Sequence, residues 1–318
     1  MHQGYDLIGD IHGCGQTLVT LLEQMGYRKE HGVYRHNNRK AVFVGDVVDR
    51  GPHIRLACEI VKNMVDAGEA EMLMGNHEYN LITYCTKAPA GMRQPFLREH
   101  TRRNTRIVEA TMEQFANYPQ ELNEMLDWFL ERPLFAEYDH FRVVHACWDS
   151  DMIAEYIARY GGNQLDRDLL VESVDTSSFL HQFLDRMLRG TSLKLPQGRS
   201  MTAKDGFVRQ FFRTKFWEHE PSRYSDVLFQ PDPLPDDLQH SLLSDAEKRQ
   251  LLFYSAEEKP LFFGHYWMAG IPSPLSSNLA CIDYSAVKYG RLVAYRMDTE
   301  HQLQPSKFTW VRVEKNER

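Results

Sequence analysis

The chain has 318 residues, of which 42% are hydrophobic and 25% are charged. This composition is typical of a globular protein, and the length fits either two domains or one large α/β domain. The formal net charge of −7 argues against a general attraction for duplex nucleic acid, although local basic patches are compatible with it.

The sequence has no feature typical of a membrane or secreted protein. No apolar run approaches the roughly 20 residues that span a bilayer. The start of the chain lacks the basic segment and following apolar stretch of a signal peptide. The five cysteines are scattered, without C-x-x-C spacing, which favours neither a disulfide framework nor a zinc ribbon. We therefore expect a cytoplasmic protein with no membrane partner.

In chain order, five short apolar runs each lead into a turn that carries polar side chains. The runs and their turns are YDLIGDIHG (5–13), AVFVGDVVDRG (41–51), AEMLMGNHE (70–78), FRVVHA (141–146) and PLFFGHY (260–266). Each run is short and β-rich, as in a strand buried on both faces. Helical patterns follow the first three runs. The first lies at 16–25, the second has Pro52 in its first turn, and the third begins at Tyr79 and reaches Tyr84. Repeated strand, turn and helix predict βαβ units and a largely parallel sheet, hence an α/β fold.

The carboxyl ends of these strands are expected to form one rim of one sheet, where ligands bind in such folds. The side chains delivered there are Asp10, His12, Asp46, Asn76, His145 and His265. Taken one at a time, each is more often a helix cap or a satisfied polar residue. Together they indicate a metal site, because their carboxylate, imidazole and amide groups suit Mn²⁺, Fe²⁺, Zn²⁺ or Mg²⁺. So many ligands fit two ions about 3.5–4 Å apart with one bridging carboxylate.

The same motifs, in this order, resemble the phosphoprotein phosphatase branch of the calcineurin-like metallophosphoesterases. They are GDIHG, GDVVDRG, GNHE, VHA and GH, and the segment at 281–298 is similar to that family's C-terminal hairpin. Bacterial members that act as Ser/Thr protein phosphatases or bis(5'-nucleosyl)-tetraphosphatases are the most similar, on the segments at 195–217 and 262–268. The chain departs from the family at Cys147, where a glycine is usual. A larger side chain there is expected to narrow the mouth of the site.

The resemblance implies an αββα four-layer sandwich with an inserted, mainly helical cap. Residues 1–318 would form a single metallophosphoesterase domain. Within it, 150–258 would be the insertion, which includes the proline-rich linker 231–237, and 259–318 would complete the sheet. A second phosphate-binding arginine of the family is expected in the insertion, without an assignment to one residue.

The resemblance also implies how the metal ligands are shared. The first ion would be held by Asp10, His12 and Asp46, and the second by Asp46, Asn76, His145 and His265. Asp46 would bridge two divalent ions, with Mn²⁺ favoured and Fe, Zn or Mg as alternatives. His77 would act as the general acid, oriented by Asp49, and Arg50 would clamp the phosphate. A metal-bound hydroxide would then attack phosphorus in line.

The expected function is hydrolysis of phosphate esters by this pair of ions. The substrate would be a phosphopeptide, a nucleotide or a dinucleoside polyphosphate. A metal-dependent phosphodiesterase or nuclease is the alternative, which the acidic net charge disfavours. A catalytically silent interaction protein is least favoured, because none of the expected ligands is missing.

Two basic clusters have both a structural and a functional interpretation. The first consists of Arg93, Arg98, Arg102, Arg103 and Arg106, and the second of Lys204, Arg209, Arg213 and Lys215 with Phe207, Phe211, Phe212, Phe216 and Trp217 between them. The first is either a solvated helix face or a rim that attracts anionic substrate. The aromatic residues of the second are either core or a nucleobase stack. Cys14 and Cys147 are expected to be packing residues, with a redox switch as the less favoured alternative.

Overall fold

The structure, a computed structural model, describes residues 4–202, 208–229 and 234–314. Its strands are β1 Gly4–Ile8, β2 Arg28–Glu30, β3 Val33–Arg35, β4 Arg39–Phe43, β5 Ala70–Met72, β6 Phe135–Glu137, β7 Arg142–Val144, β8 Thr191–Lys194, β9 Met201–Thr202, β10 Val208–Arg209, β11 Phe211–Thr214, β12 Leu261–Phe263, β13 Leu279–Cys281, β14 Asp283–Tyr284, β15 Arg291–Met297 and β16 Phe308–Arg312. Its helices are α1 Gly15–Gln24, α2 Ile54–Asp66, α3 Asn76–Cys85, α4 Arg102–Gln114, α5 Pro119–Leu130, α6 Ser150–Tyr160, α7 Arg167–Glu172, α8 Phe179–Arg189, α9 Tyr224–Val227, α10 Asp236–Gln239 and α11 Asp245–Lys248.

The two largest sheets among the described residues form the centre of the fold. The first has the order β14-β15-β1-β4-β5, with β16 paired to β15, and the second has the order β13-β12-β7-β6. Strands β1, β4 and β5 are parallel, as are β7, β12 and β13, whereas β15 and β6 run antiparallel to their neighbours. The expectation that all five strand ends share one sheet is therefore wrong. The first three belong to one sheet and the last two to the other.

An apolar layer lies between the two sheets. Alternate residues of a strand point to opposite faces, so each sheet contributes every second side chain to this layer. Leu7 and Val42 from the first sheet share a fully buried cluster with Val143 and Phe262 from the second. Burying one such side chain contributes about 1.5–3 kcal/mol. This layer holds the two sheets face to face.

Helices cover the outer face of each sheet. Helices α1 and α2 pack on the first sheet, where the alternate residues Ile8 and Phe43 join their apolar cluster. On the second sheet, Phe135 of β6 makes edge-on ring contacts with Tyr156 of α6 and Phe183 of α8. The order helix, sheet, sheet, helix confirms the implied αββα sandwich.

The helices that follow the first three strands begin close to their expected positions. Helix α1 starts one residue before the expected range. Helix α3 starts at Asn76, three residues earlier than expected, because the Glu78 side chain accepts a hydrogen bond from the Gly75 N–H and closes its first turn. Pro52 precedes the N-cap residue His53 of α2, so its placement inside the first turn is wrong.

Residues 150–258 form a mixed segment in which helices α6–α11 contain more residues than strands β8–β11. Part of it has its own small apolar cluster, which includes Leu193, Phe212 and Tyr224. Residues 231–233 of the proline-rich linker lie outside the described residues. Whether this segment acts as a cap stays a prediction.

The C-terminal region contributes strands to both sheets. Strands β12 and β13 belong to the second sheet, and β14, β15 and β16 to the first. Strands β14 and β15 form the expected antiparallel hairpin. Within the part of the chain that the structure describes, no helix is both long and apolar enough to cross a membrane.

Candidate metal centre

The six predicted metal ligands are buried next to the ends of β1, β4, β5, β7 and β12, five of them in turns and Asn76 as the first residue of α3. Asp10, His12, Asp46, Asn76, His145 and His265 are each no more than 7% exposed. His12, Asp46 and His265 have positive φ angles of 44°, 53° and 62°. Non-glycine residues rarely adopt this region, and such strain tends to occur at functional sites. The backbone therefore bends to direct three of these side chains.

Two motif glycines allow the carboxylates to approach the backbone. A Cβ atom at Gly264 would lie 2.0 Å from Oδ1 of Asp10, and one at Gly75 would lie 2.3 Å from Oδ1 of Asp46. Both distances are far below van der Waals contact, so any larger residue would displace a carboxylate. This accounts physically for the glycines of the GH and GNHE motifs.

Asp46 lies between two clusters of possible ligand atoms. One cluster contains His12, Asp46 and His77, and the other contains Asp46, His145 and His265, each with its ligand atoms within 4.8 Å of one another. Oδ2 of Asp46 is 3.6 Å from Nε2 of His12 and 3.4 Å from Nε2 of His145. One carboxylate oxygen is thus shared by both clusters, as a bridging ligand would be.

The imidazoles are oriented toward these clusters by the backbone. Nδ1–H of His12 donates to the Val48 carbonyl at 3.0 Å, and Nδ1–H of His145 donates to the Val44 carbonyl at 2.9 Å. Each Nε2 then lies on the side of Asp46 and could bind a cation once it carries no proton, an arrangement common for metal-binding histidines. Nε2 of His265 is buried and has no hydrogen-bond partner among the described residues. A metal ion would satisfy this nitrogen, so the donor set fits a divalent cation.

Asp10 and Asn76 lie at the edge of the clusters. The Asp10 carboxylate accepts the backbone N–H of His265 at 3.1 Å and belongs to neither group of ligand atoms. Oδ1 of Asn76 is 3.2 Å from Nε2 of His145. The structure thus brings both residues to the site, and the assignment of Asp10 to the ion of His12 stays a prediction.

The buried carboxylates of the site differ in electrostatic environment. Burial would raise the pKa of Asp46, but the surrounding imidazoles, His145 foremost, hold it well below its usual value. Burial alone would lower the pKa of His145, yet the Asp46 carboxylate raises it to about 10. Burial, and then Asp283, raise the pKa of Asp10 well above its usual value. Asp283 is a further buried carboxylate that the sequence interpretation missed, and burial raises its pKa as well.

His77, Asp49 and Arg50 form one hydrogen-bonded group beside Asp46. Nδ1–H of His77 donates to Asp49 at 2.6 Å. The Arg50 guanidinium donates to Nε2 of His77 at 2.8 Å and to Nε2 of His12 at 2.9 Å. The three residues expected to act on the phosphate are therefore brought together next to the metal clusters.

Glu78 fixes the turn that carries Asp46. Its buried carboxylate accepts the backbone N–H groups of Asp46, Val47, Val48 and Gly75 at 2.8–3.2 Å. Four such donors satisfy the carboxylate and hold the ligand turn in place. Its place in the GNHE motif was visible in the sequence, but its partners were not.

Helix α4 holds the turn that carries Asp49. Oγ1 of Thr111 accepts the backbone N–H of Asp49 at 3.0 Å and donates to the Asp49 carboxylate. Three residues later on the same helix, Gln114 accepts from Ile54 N–H at 2.7 Å and donates to the Gly51 carbonyl at 2.9 Å. No local pattern marks these residues, because they lie some 60 positions from their partners.

The structure also shows how far the other residues singled out in the sequence are exposed. Cys147 is fully buried, so it does not narrow the mouth of the site. Burial also raises the pKa of its thiol, which disfavours the thiolate that a redox switch would need. Arg93, Arg102, Arg103 and Arg106 are exposed, whereas Arg98 is half-buried. Phe212 and Phe216 are core residues and Phe211 is exposed. Lys204 and Phe207 lie outside the described residues.

The αββα sandwich and its group of carboxylates and imidazoles are the features of calcineurin-like phosphoesterases. The sequence model of the family described as calcineurin-like phosphoesterase matches residues 6–235. The chain therefore belongs to this family, as the motifs predicted.

Curated relatives carry the name bis(5'-nucleosyl)-tetraphosphatase PrpE [asymmetrical]. The protein from Halalkalibacterium halodurans is 31% identical over 155 residues, which are 48% of this chain and 60% of the relative. The protein from Bacillus cereus (strain B4264) is 48% identical over 75 residues, which are 23% of this chain and 30% of the relative. The chain thus spans less than two thirds of the length of these relatives.

Two solved structures share the fold. One is a cold-active protein-tyrosine phosphatase of a psychrophilic Shewanella species, with a TM-score of 0.50 and 14% identity over 99% of this chain and 81% of that chain. The other is a protein serine/threonine phosphatase from Saccharomyces cerevisiae, with a TM-score of 0.50 and 14% identity over 98% of this chain and 79% of that chain. At this identity the likeness supports the fold alone.

Proposed function

We propose that the chain hydrolyses phosphate esters or anhydrides at a pair of divalent metal ions. The observation that carries this proposal is the position of Asp46, whose Oδ2 lies 3.4–3.6 Å from one imidazole nitrogen of each cluster. A shared carboxylate between two ligand sets is what two-metal phosphoesterases need.

The ligands would divide around Asp46. His12 and Asp10 would complete the first ion's set, and Asn76, His145 and His265 the second's, with Mn²⁺ favoured over Fe, Zn or Mg. Bound ions would supply polarisation of the phosphoryl group and an activated water. The buried, prearranged donors keep the geometry fixed without reorganisation during the reaction.

His77, Asp49 and Arg50 would act on the substrate. Asp49 holds His77 through Nδ1, which directs Nε2 toward the leaving oxygen for proton donation. Arg50 now donates to the two imidazoles, and a bound phosphate would compete for its guanidinium. Once released, Nε2 of His77 would take up a proton from solvent, and His77 would then donate that proton to the leaving oxygen.

Arg213 is our candidate for the second phosphate-binding arginine. Its Nη1 lies 3.5 Å from the His265 carbonyl, and burial lowers the pKa of its guanidinium. Arg189, another cation of 150–258 whose charge lowers the pKa of His265, already donates to Asn80 at 3.0 Å and pairs with Asp185. Residues 150–258 would thus cover the centre and supply one of its cations.

Replacing Thr111 by valine tests whether Thr111 helps Asp49 to orient the proposed acid His77. The variant keeps the shape of the side chain but loses both hydrogen bonds to Asp49. We expect the free energy of unfolding to fall by about 1–3 kcal/mol and turnover to fall by about 10–100-fold, because Asp49 orients His77 less firmly. Thermal unfolding and steady-state kinetics measure the two effects. The matched Thr111→Ser variant should retain most activity, and an equally active valine variant would contradict this role.

The substrate class is proposed from the relatives' names and the phosphatase-like fold. A dinucleoside polyphosphate is favoured, and a phosphopeptide is the second candidate. The protein would act in the cytoplasm, as its cysteine usage predicts, without duplex nucleic acid or membrane as partner.

A reconstitution assay tests the proposal. The protein is stripped with chelator, reloaded with Mn²⁺, Fe²⁺, Zn²⁺ or Mg²⁺, and given diadenosine tetraphosphate, a phosphoserine peptide, p-nitrophenyl phosphate and a single-stranded oligonucleotide. We expect metal-dependent turnover, highest on diadenosine tetraphosphate. Hydrolysis of the oligonucleotide alone would identify a nuclease instead. Metal-loaded protein that hydrolyses none of the four would contradict the proposal.

A further inference from the structure

Two cations lie near one aromatic side chain that closely follows the proposed ligand His265 in the chain. Trp267, two residues after His265, is half-buried. Nζ of Lys288 lies 3.6 Å from the centre of its ring, and the Arg213 guanidinium lies 5.9 Å from the same ring. We call Trp267, Lys288 and Arg213 the cationic rim.

The contacts around the cationic rim place it beside the site. Arg213 approaches the His265 carbonyl, as described above. Lys288 lies in the turn between β14 and β15. The Met268 N–H donates to the Asp283 carbonyl at 3.0 Å, and this hydrogen bond connects the segment after His265 to β14. Val287 and Tyr289 of that turn share a small cavity of about 10 Å³ with Gly51 and Pro52, the residues that follow Arg50. Lys288 is therefore next to the loop of the phosphate clamp.

The positive charge of the cationic rim is not neutralised by close ion pairs. Within the described residues, neither Lys288 nor Arg213 forms an ion pair with a carboxylate oxygen within 4.0 Å. The buried Asp283 carboxylate acts on both cations from a greater distance and offsets part of their charge. Arg50, which is bonded to imidazoles, contributes a third positive charge close enough to act on Lys288. An anion that contacts these cations would supply the close countercharge that they lack. The arrangement is therefore suited to more negative charge than one phosphate supplies.

The indole ring of Trp267 restricts the position of the Lys288 ammonium group. An ammonium over an indole face is attracted by about 0.5–2 kcal/mol, which limits the rotamers of an otherwise flexible lysine. The same contact covers one face of Trp267. A nucleobase cannot stack on that face while Lys288 occupies it, whereas the ammonium itself has N–H groups that can bind a phosphate oxygen.

We propose that the Trp267–Lys288 pair binds a second phosphate group, beyond the one at the metal centre. It would make the site select chains of linked phosphates over single phosphate esters. The inference rests on the proposed phosphoesterase function and identifies residues that determine its specificity. A phosphopeptide with one phosphate would leave the pair unused.

Calorimetric binding tests the proposal without requiring turnover. Full-length, metal-loaded protein is titrated with inorganic tripolyphosphate and, separately, with orthophosphate. In Lys288→Met, which keeps a flexible apolar stem, we expect affinity for tripolyphosphate to fall about tenfold and affinity for orthophosphate to change less than about twofold. Trp267→Leu should give a smaller loss of the same kind, because Lys288 is no longer held in place.

Kinetics and a matched control complete the test. Lys288→Met should lower kcat/KM for diadenosine tetraphosphate about tenfold and leave p-nitrophenyl phosphate nearly unchanged. Lys29→Met, which removes a lysine 5.8 Å from the Tyr34 ring in the β2–β3 hairpin, should alter neither. Equal losses on both substrates, or unchanged tripolyphosphate binding, would overturn the inference while the phosphoesterase proposal stands. Absence of turnover in the parent protein would instead overturn the proposed function, and tripolyphosphate binding would still decide the inference.

Discussion

Replacing Asp46 by asparagine is expected to abolish binding of the metal pair. Asparagine keeps the oxygen that accepts the backbone N–H of His77 at 2.9 Å in the parent protein. It replaces the other carboxylate oxygen, which lies near both His12 and His145, with an NH₂ group. An amide nitrogen cannot bridge two cations. We expect metal content below one ion per chain and turnover no higher than that of chelator-treated parent protein, measured by elemental analysis and steady-state kinetics.

The control for this variant is a buried carboxylate outside the site. Asp6, in the middle of β1, is fully buried and pairs with Arg39 and Arg296. Asp6→Asn is expected to lower the melting temperature but to leave the metal content of the folded protein unchanged. An Asp46→Asn protein that retains two ions would show that this carboxylate does not bridge.

Replacing His77 by glutamine is expected to slow substrates according to their leaving groups. Loss of a general acid costs about 10²–10⁴-fold where the leaving oxygen needs a proton. p-Nitrophenolate leaves without one, so its ester should lose less than about tenfold. The measurement is the dependence of kcat/KM on leaving-group pKa across a series of aryl and alkyl phosphates.

Metal content separates this role from an indirect effect. His77→Gln is expected to keep both ions. Although His77 lies in the first cluster, its ring nitrogens bond to Asp49 and Arg50, and the proposed ligands are other residues. His140→Gln, an exposed histidine in the turn between β6 and β7, should leave the leaving-group dependence unchanged. An identical dependence in His77→Gln and the parent would mean that His77 is not the acid.

Much of the site was predictable because its side chains follow strand ends at short, fixed spacings. Parallel strands bring their carboxyl ends to one edge, so Asp46 and the turns around it could be placed together from the sequence. The αββα sandwich came from the resemblance of the motifs. The apolar runs alone indicated one sheet, since a strand buried on both faces reads the same in either sheet.

The supporting residues could not be predicted, because they depend on contacts between distant elements. Thr111 bonds to Asp49 across 62 positions, and its helix carries no motif. Lys288 lies over Trp267 only because the β14–β15 turn folds back on the segment after His265. In the sequence, Asp283 is indistinguishable from an ordinary strand residue, because its burial and its effect on Asp10 depend on the fold. Such residues are found by tertiary packing rather than by local pattern.

Anomalous diffraction from a crystal of the Mn²⁺-loaded protein tests the central claim most directly. The account predicts two anomalous peaks about 3.5–4 Å apart, one on each side of the Asp46 carboxylate, with His12 beside one and His145 and His265 beside the other. A single peak, or two peaks that do not share Asp46, would contradict it.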